Sequence, residues 1–136
     1  MTHAEEDLNR RMLRARDAMD GAYAEQLDIC HLARLAHVSE AHFIRTFRAT
    51  FGETPHRYLQ RRRVERAMFL LAHTKRDITE ICLDVGFSSL ATFSRTFTRV
   101  VGEPPSSFRA RARPIAVPNC FAMAWLRPSS FGQAPD

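Results

Sequence analysis

Glycine, cysteine and lysine are all scarce in this 136-residue chain, and each shortage narrows what it can do. The five glycines stand far apart, so no glycine-rich loop is available to wrap a nucleotide phosphate. Three cysteines, Cys30, Cys82 and Cys120, are too few and too scattered for a disulfide scaffold and read as reduced small hydrophobes. Cys30 lies near His31, His37 and His42, but with no CxxC pair and no two-histidine helix spacing, so neither a metal nor a cofactor is expected. A nucleophile elbow and a convergent carboxylate pair are also missing, which argues against an enzyme. The longest apolar runs, 67–72 and 120–126, fall far short of the roughly 20 residues that span a bilayer. The N-terminus through Arg16 alternates acid and base without a signal-peptide core. The expectation is a soluble, cytoplasmic protein with no membrane partner.

What the chain has instead is arginine and an internal repeat. Lys75 is the lone lysine, and a formal charge of +5 with a pI near 9.8 attracts polyanions. Phe43, Arg45, Phe47, Gly52, Glu53 and Pro55 recur fifty residues later as Phe93, Arg95, Phe97, Gly102, Glu103 and Pro105. Upstream, Asp28 and Leu32-Ala33 answer Asp77 and Ile81-Cys82 at a separation of 49, so the second copy carries one extra residue. That slip falls between His37-Val38-Ser39 and Gly86-Phe87-Ser88-Ser89, where a turn tolerates it and a helix interior would not.

Each copy reads as helix, tight turn, helix. Asp28 is the expected first N-cap, with Ile29, Leu32 and Ala36 inward; Ser39 then caps a helix buried through Phe43, Phe47 and Phe51. In the second copy Asp77 and Glu80 suggest a capping box, Ile78, Ile81 and Val85 face inward, and Gly86 suits a left-handed turn. Ser88 or Ser89 starts the next helix, buried through Phe93, Phe97 and Val100 or Val101. Gly52 and Gly102 end the second helices, and Pro55 and Pro105 open the segments after them.

Opposite the phenylalanines, Ala41, Arg45 and Arg48 form a solvent-facing stripe, and Ala91, Arg95 and Thr98 repeat it, flanked by Thr92, Ser94 and Arg99. Such a face is small, uncharged or cationic, and fits a major groove about 12 Å wide. An arginine can donate two parallel hydrogen bonds to guanine, while cap hydroxyls and N-terminal amides suit phosphates. An isolated surface arginine is usually just solvated, but recurrence at the same position of both repeats favours a function.

The remaining segments assemble around the two units. Leu8, Met12, Ala15, Met19 and Ala22 recur at helical spacing between Asp7 and Tyr23, ending near Gly21. Pro55 to Ala72 reads as a longer helix with Leu59, Val64, Ala67, Met68 and Leu71 inward and a basic block of Arg57, Arg61, Arg62, Arg63 and Arg66. As a rod of roughly 26 Å, it could hold two recognition helices about one DNA turn apart. A loop at His73-Thr74-Lys75-Arg76 comes next, and a last short helix runs through Ser106 to Ala112.

These residues together resemble the DNA-binding domain of the AraC/XylS family of bacterial transcription regulators. The match runs through Leu32-Ala33-x-x-Ala36-x-Val38-Ser39, Phe43-x-Arg45-x-Phe47, Gly52-x-x-Pro55-x-x-Tyr58 and Arg63-x-x-x-Ala67-x-x-Leu70-Leu71. It continues with Ile78-x-x-Ile81-Cys82-x-x-x-Gly86-Phe87, Ser89-x-x-x-Phe93-x-Arg95-x-Phe97 and Gly102-x-x-Pro105-x-x-Phe108-Arg109. The resemblance implies an all-α fold of seven helices, two homeodomain-like helix-turn-helix lobes joined by a central linker helix, over residues 5–113. It implies double-stranded DNA as partner, with each lobe's second helix in one of two adjacent major-groove segments, and transcriptional activation through contacts to RNA polymerase.

Base reading is assigned to Arg45, Arg95, Thr92 and His42, with methyl contacts from Ala41 and Ala91. Backbone contact is assigned to Ser39, Arg48, Arg61, Arg62, Lys75, Arg76, Ser88, Ser89, Thr98 and Arg99. Ala41, Ile44, Leu90 and Ala91 depart from the polar base readers that relatives often carry, which leaves part of the specificity to DNA shape. The chain resembles short stand-alone members acting as a monomer or weak dimer. Its residues 114–136 form a short proline-rich tail in which Phe121, Met123 and Trp125 alternate; the tail either folds back on the domain or meets a partner. Besides the regulator, two other classes are open: an interaction adaptor with weak DNA affinity, and a DNA-repair methyltransferase. The last lacks a Cys-His-Arg setting around Pro118-Asn119-Cys120.

Overall fold

In the computed structural model residues 2–112 are described, so the domain end at Arg113 and every reading of the tail lie outside the described residues. Those residues form seven α-helices and no strand: α1 His3–Gly21, α2 Ile29–Leu35, α3 Glu40–Phe51, α4 Pro55–His73, α5 Ile78–Asp84, α6 Leu90–Val101 and α7 Pro105–Arg111. The all-α, seven-helix expectation holds.

Helix α1 starts four residues ahead of the Asp7 that periodicity suggests. The Thr2 hydroxyl accepts from the Glu5 amide at 3.1 Å and the Glu5 carboxylate accepts from the Thr2 amide at 2.7 Å, closing a capping box. Two such bonds hold a turn that buries nothing, which is why an apolar pattern does not reveal it. Further on, Met12, Ala15 and Met19 are buried as expected.

The two helix-turn-helix units are built by the same bonds. Ala36, His37 and Val38 donate to Leu32, Arg34 and Ala33, and Val85, Gly86 and Phe87 donate to Ile81, Leu83 and Cys82, all between 3.0 and 3.1 Å. The turn residue is left-handed in both, His37 at φ 58° and Gly86 at φ 105°. Ser39 and Ser89 are the N-caps of α3 and α6, accepting from His42 and Thr92 at 3.2 and 3.1 Å. Ser88 is therefore the extra residue of the second copy, and it is exposed.

Asp28 caps α2 through the His31 amide, but the capping box expected at Asp77 and Glu80 does not form. Asp77 takes the Thr79 amide at 3.1 Å, one residue earlier, and Glu80 is drawn instead to Arg76 at 3.6 Å. An arginine just before the helix thus competes for the carboxylate that would have closed the box. The ambiguous valine pair resolves with Val101 against the core and Val100 exposed.

Each unit owns a core. Met12, Ala15, Met19, Leu32, Ala33, Ala36, Phe43 and Phe47 fill the first; Ile81, Cys82, Val85, Phe87, Phe93, Phe97 and Phe108 fill the second. Helix α4 supplies Tyr58 and Leu59 to one and Val64, Ala67, Leu70 and Leu71 to the other, so it is a shared wall rather than a bare rod. Gly52 and Gly102, at φ 82° and 97°, stop α3 and α6, and Pro55 and Pro105 open α4 and α7.

The basic block on α4 is not one solvated face. Arg63 and Arg66 are each only 8% exposed, whereas Arg57 is open to solvent. Arg63 lies four residues after Leu59 and four before Ala67, on the buried stripe itself. Its guanidinium donates to the carbonyls of Tyr23 at 2.5 Å and Glu25 at 2.9 Å, and burial pulls its pKa below the ordinary arginine value. It thereby holds the α1–α2 loop beside the second lobe's turn. A Cβ on Gly86 would come within 2.8 Å of the Arg63 Nε and 2.9 Å of the Ala24 backbone.

Candidate nucleic-acid interface

A capped helix that presents no carboxylate from its outward stripe is the minimum needed to approach a polyanion. On α3 that stripe is Ala41, Ile44, Arg45 and Arg48, all exposed, with Phe43 and Phe47 fully buried behind it. On α6 it is Leu90, Ala91, Arg95 and Thr98, likewise exposed, over Phe93 and Phe97. The ring pairs 43/47 and 93/97 have the same centroid separation, 5.7 Å, so the repeat extends to the packing that fixes each helix's rotation.

The base-reading candidates are brought together within each lobe. His42 is half-buried and lines, with Arg45, a shallow groove between α1 and α3 that also includes Glu5, Asn9 and Thr46. The Thr92 hydroxyl accepts from the Ser89 hydroxyl at 2.9 Å and lies 3.5 Å from the Arg95 guanidinium. The Ser89 cap thus fixes Thr92, and Thr92 restrains Arg95. Arg45 has no comparable restraint: position 42, the counterpart of Thr92, is a histidine.

The candidate backbone contacts divide into two groups. Arg48, Lys75, Ser88 and Arg99 are exposed, Ser39 and Ser89 sit at helix starts, and the Thr98 hydroxyl donates to the Ser94 carbonyl at 2.7 Å. Arg61, Arg62 and Arg76 are engaged inside the molecule. Arg61 bonds Glu53 at 2.6 Å and Glu65 at 2.9 Å, and the Glu53 bond raises its pKa. Arg62 bonds Asp20 at 3.2 Å and Glu65 at 3.0 Å, and Arg76 pairs with Asp84 and Glu80. Any phosphate reaching these three must compete with a carboxylate already in place.

Around Asp20 the network tightens further. The Tyr58 hydroxyl donates to the same carboxylate oxygen at 2.6 Å, tying α4 to the end of α1. Burial, followed by the Asp20 carboxylate, raises the Tyr58 pKa well above its ordinary value. Among the described residues no group of three or more His, Cys, Asp or Glu comes together that could hold a metal ion. No helix there is long and apolar enough to cross a membrane.

Sequence reasoning singled out no role for Arg57 at this surface. Its signal was positional: Arg57 is in the first turn of α4, directly after Gly52 turns the chain away from α3. The turn sets it in one hollow with Arg48, which a linear reading does not bring near.

Comparisons with known proteins agree with this geometry. The profile of a family described as a helix-turn-helix domain matches residues 32–111. A probable transcriptional regulator of Photobacterium leiognathi, LumQ, is 28% identical over 85 residues, covering 62% of this chain and 34% of LumQ. The chain thus spans about a third of that relative's length. Among solved structures, an AraC-type transcriptional regulator from Chromobacterium violaceum superposes with a TM-score of 0.69 at 30% identity, covering 75% of this chain and 91% of that one. The DNA-binding domain of AdpA, a global transcriptional factor solved with a target DNA, gives 0.69 at 29% identity, covering 73% and 89%.

Proposed function

The chain belongs to the AraC-type family of helix-turn-helix DNA-binding proteins, and on that premise we propose that it is a sequence-specific, double-stranded DNA-binding regulator of transcription. Helices α3 and α6 enter adjacent major-groove segments. The observation that carries this reading is the pair Arg45 and Arg95: repeat-equivalent, exposed, and without a carboxylate partner among the described residues. Several other arginines, Arg61, Arg62, Arg63 and Arg76 among them, are engaged in internal bonds, whereas these two are left available to guanine O6 and N7.

Two readers on one chain suit an asymmetric site bound by a single copy. The proposal extends to activation through contact with RNA polymerase, the mode the family resemblance implies, and to a role without catalysis. A second reading, an adaptor that uses the same fold to hold a protein, is favoured by Ile44 and Leu90. They leave 38% and 44% of their surface exposed on the faces that would read bases.

Selection of preferred sequences from a random duplex pool separates the two. Wild type should yield a bipartite site, and Arg45→Ala or Arg95→Ala should each relax preference in one half only, by about 1–3 kcal/mol for each bidentate arginine–guanine pair removed. An unselective wild type, or mutants that keep the full preference, would favour the adaptor.

A further inference from the structure

Between the two reading helices the surface is hollow. The last turns of α3 and α6 and the start of α4 border a depression of about 450 Å³ lined by Arg48, Arg57, Arg61 and Arg99, with Glu53 as its one carboxylate. Arg61 and Glu53 answer each other at 2.6 Å. Arg48, Arg57 and Arg99 then remain, from three different helices, with no carboxylate bound to any of them among the described residues. Three like charges converging on one concavity repel each other, and an anion seated there would relieve the repulsion.

Helix stability does not account for the set. Arg48 and Arg99 lie in the last turns of their helices, where a cation offsets the negative end of the dipole. Arg57 is the reverse case: it lies in the first turn of α4, where a cation is disfavoured and no acidic residue compensates it. Its place is explained by what it faces.

We propose that this hollow is a phosphodiester seat, holding the sugar-phosphate backbone where it crosses between the two major-groove segments read by α3 and α6. The assignment rests on the DNA-binding reading above and deepens it, with Arg57 as a contact outside both recognition helices. A duplex that places its grooves on both helices must present backbone, not base edges, to the surface between them. Three guanidiniums on separate helices also report relative position. A phosphate meets all of them only when the two groove segments are correctly spaced, so the seat favours one half-site spacing over others.

The test uses the full chain and a duplex obtained by selection, with the phosphates between the two halves replaced one at a time by uncharged methylphosphonates. Wild type should lose affinity by about tenfold at one or two of these positions and little at their neighbours. Arg57→Gln and Arg99→Gln should bind the native duplex more weakly, lose that position-specific sensitivity, and keep the same preferred bases. The slope of log affinity against log salt should fall by about 0.9 for each phosphate no longer neutralised. Arg57→Lys should restore part of the sensitivity, and melting curves should show every variant folded, with Arg57→Gln at or slightly above wild type, since it removes a cation from the first turn of α4, and Arg99→Gln at or slightly below it, since it removes one from the last turn of α6. If wild type binds its site but no methylphosphonate between the halves matters, or if the variants keep wild-type sensitivity, the seat is refuted while the DNA reading stands. If wild type selects no duplex at all, both fall together.

Discussion

The two helix-turn-helix turns share their hydrogen bonds but not their residue, and this makes opposite predictions for a glycine and a histidine. His37 adopts φ 58° in an exposed turn, a conformation that costs a non-glycine residue on the order of 1 kcal/mol. His37→Gly should therefore raise stability by about 0.5–1 kcal/mol, read as a higher urea midpoint at unchanged slope. Gly86→Ala should lower it by about 2–4 kcal/mol, because the added carbon meets Ala24 backbone as well as carrying the φ penalty. Equal and small effects at both sites would show that the lobes do not press on each other at Gly86. Tyr58 gives a prediction in pH. Its folded pKa is raised, so the stability from its bond to Asp20 is complete below its unfolded value near 10 and is lost as pH climbs toward the folded value. Wild type should weaken more steeply than Tyr58→Phe above about pH 10, and the two curves should converge. Denaturant titrations at pH values from about 8 to about 11 would show it, and parallel curves would contradict it.

At the scale of elements, α4 shows what a sequence pattern can and cannot reveal. Its apolar half was legible because Val64, Ala67, Met68 and Leu71 stand three and four apart, and the helix ends were legible because Pro55 and the two αL glycines punctuate the chain. Its arginines were not, since one-dimensional reading assigns charge to solvent. Whether a guanidinium bonds a carbonyl, as Arg63 does, a carboxylate, as Arg62 does, or neither, as with Arg57, depends on which loop the fold lays against it. Arg62 makes that distinction measurable. Because it bridges Asp20 and Glu65, Arg62→Ala should cost stability by about 1 kcal/mol and leave the salt dependence of DNA binding nearly unchanged. A shallower salt slope with unaltered stability would return it to the phosphate contacts. The outward stripes of α3 and α6 were legible for a different reason: the repeat places the same residue, Arg45 and Arg95, opposite the buried phenylalanines twice, which no single helix could have established.

On the whole molecule, the lobes resemble two independent domains in sequence yet share structure that should make them unfold as one. Helix α4 places Leu59 in the first core and Val64, just over one turn later, in the second. Tyr23, from the loop after α1, packs against both, and Arg63 fastens that loop from the other side. Opening either lobe therefore strips packing from the helix that the other needs, and the cost is felt across the seam. A rigid seam also suits the proposed task, since two reading helices can require a fixed half-site spacing only if their separation does not drift. Phe93→Ala, deep in the second core, should cost about 3–5 kcal/mol by opening a cavity, and as a coupled unit the first lobe should share the loss. Amide hydrogen exchange resolves the point residue by residue. Under native conditions the mutation should lower protection of the slowest amides in α1 and α3 by nearly as much as in α5 and α6. If α1 and α3 instead keep wild-type protection while α5 and α6 exchange freely, the lobes open separately, and half-site spacing would then have to be set by the DNA rather than by the protein.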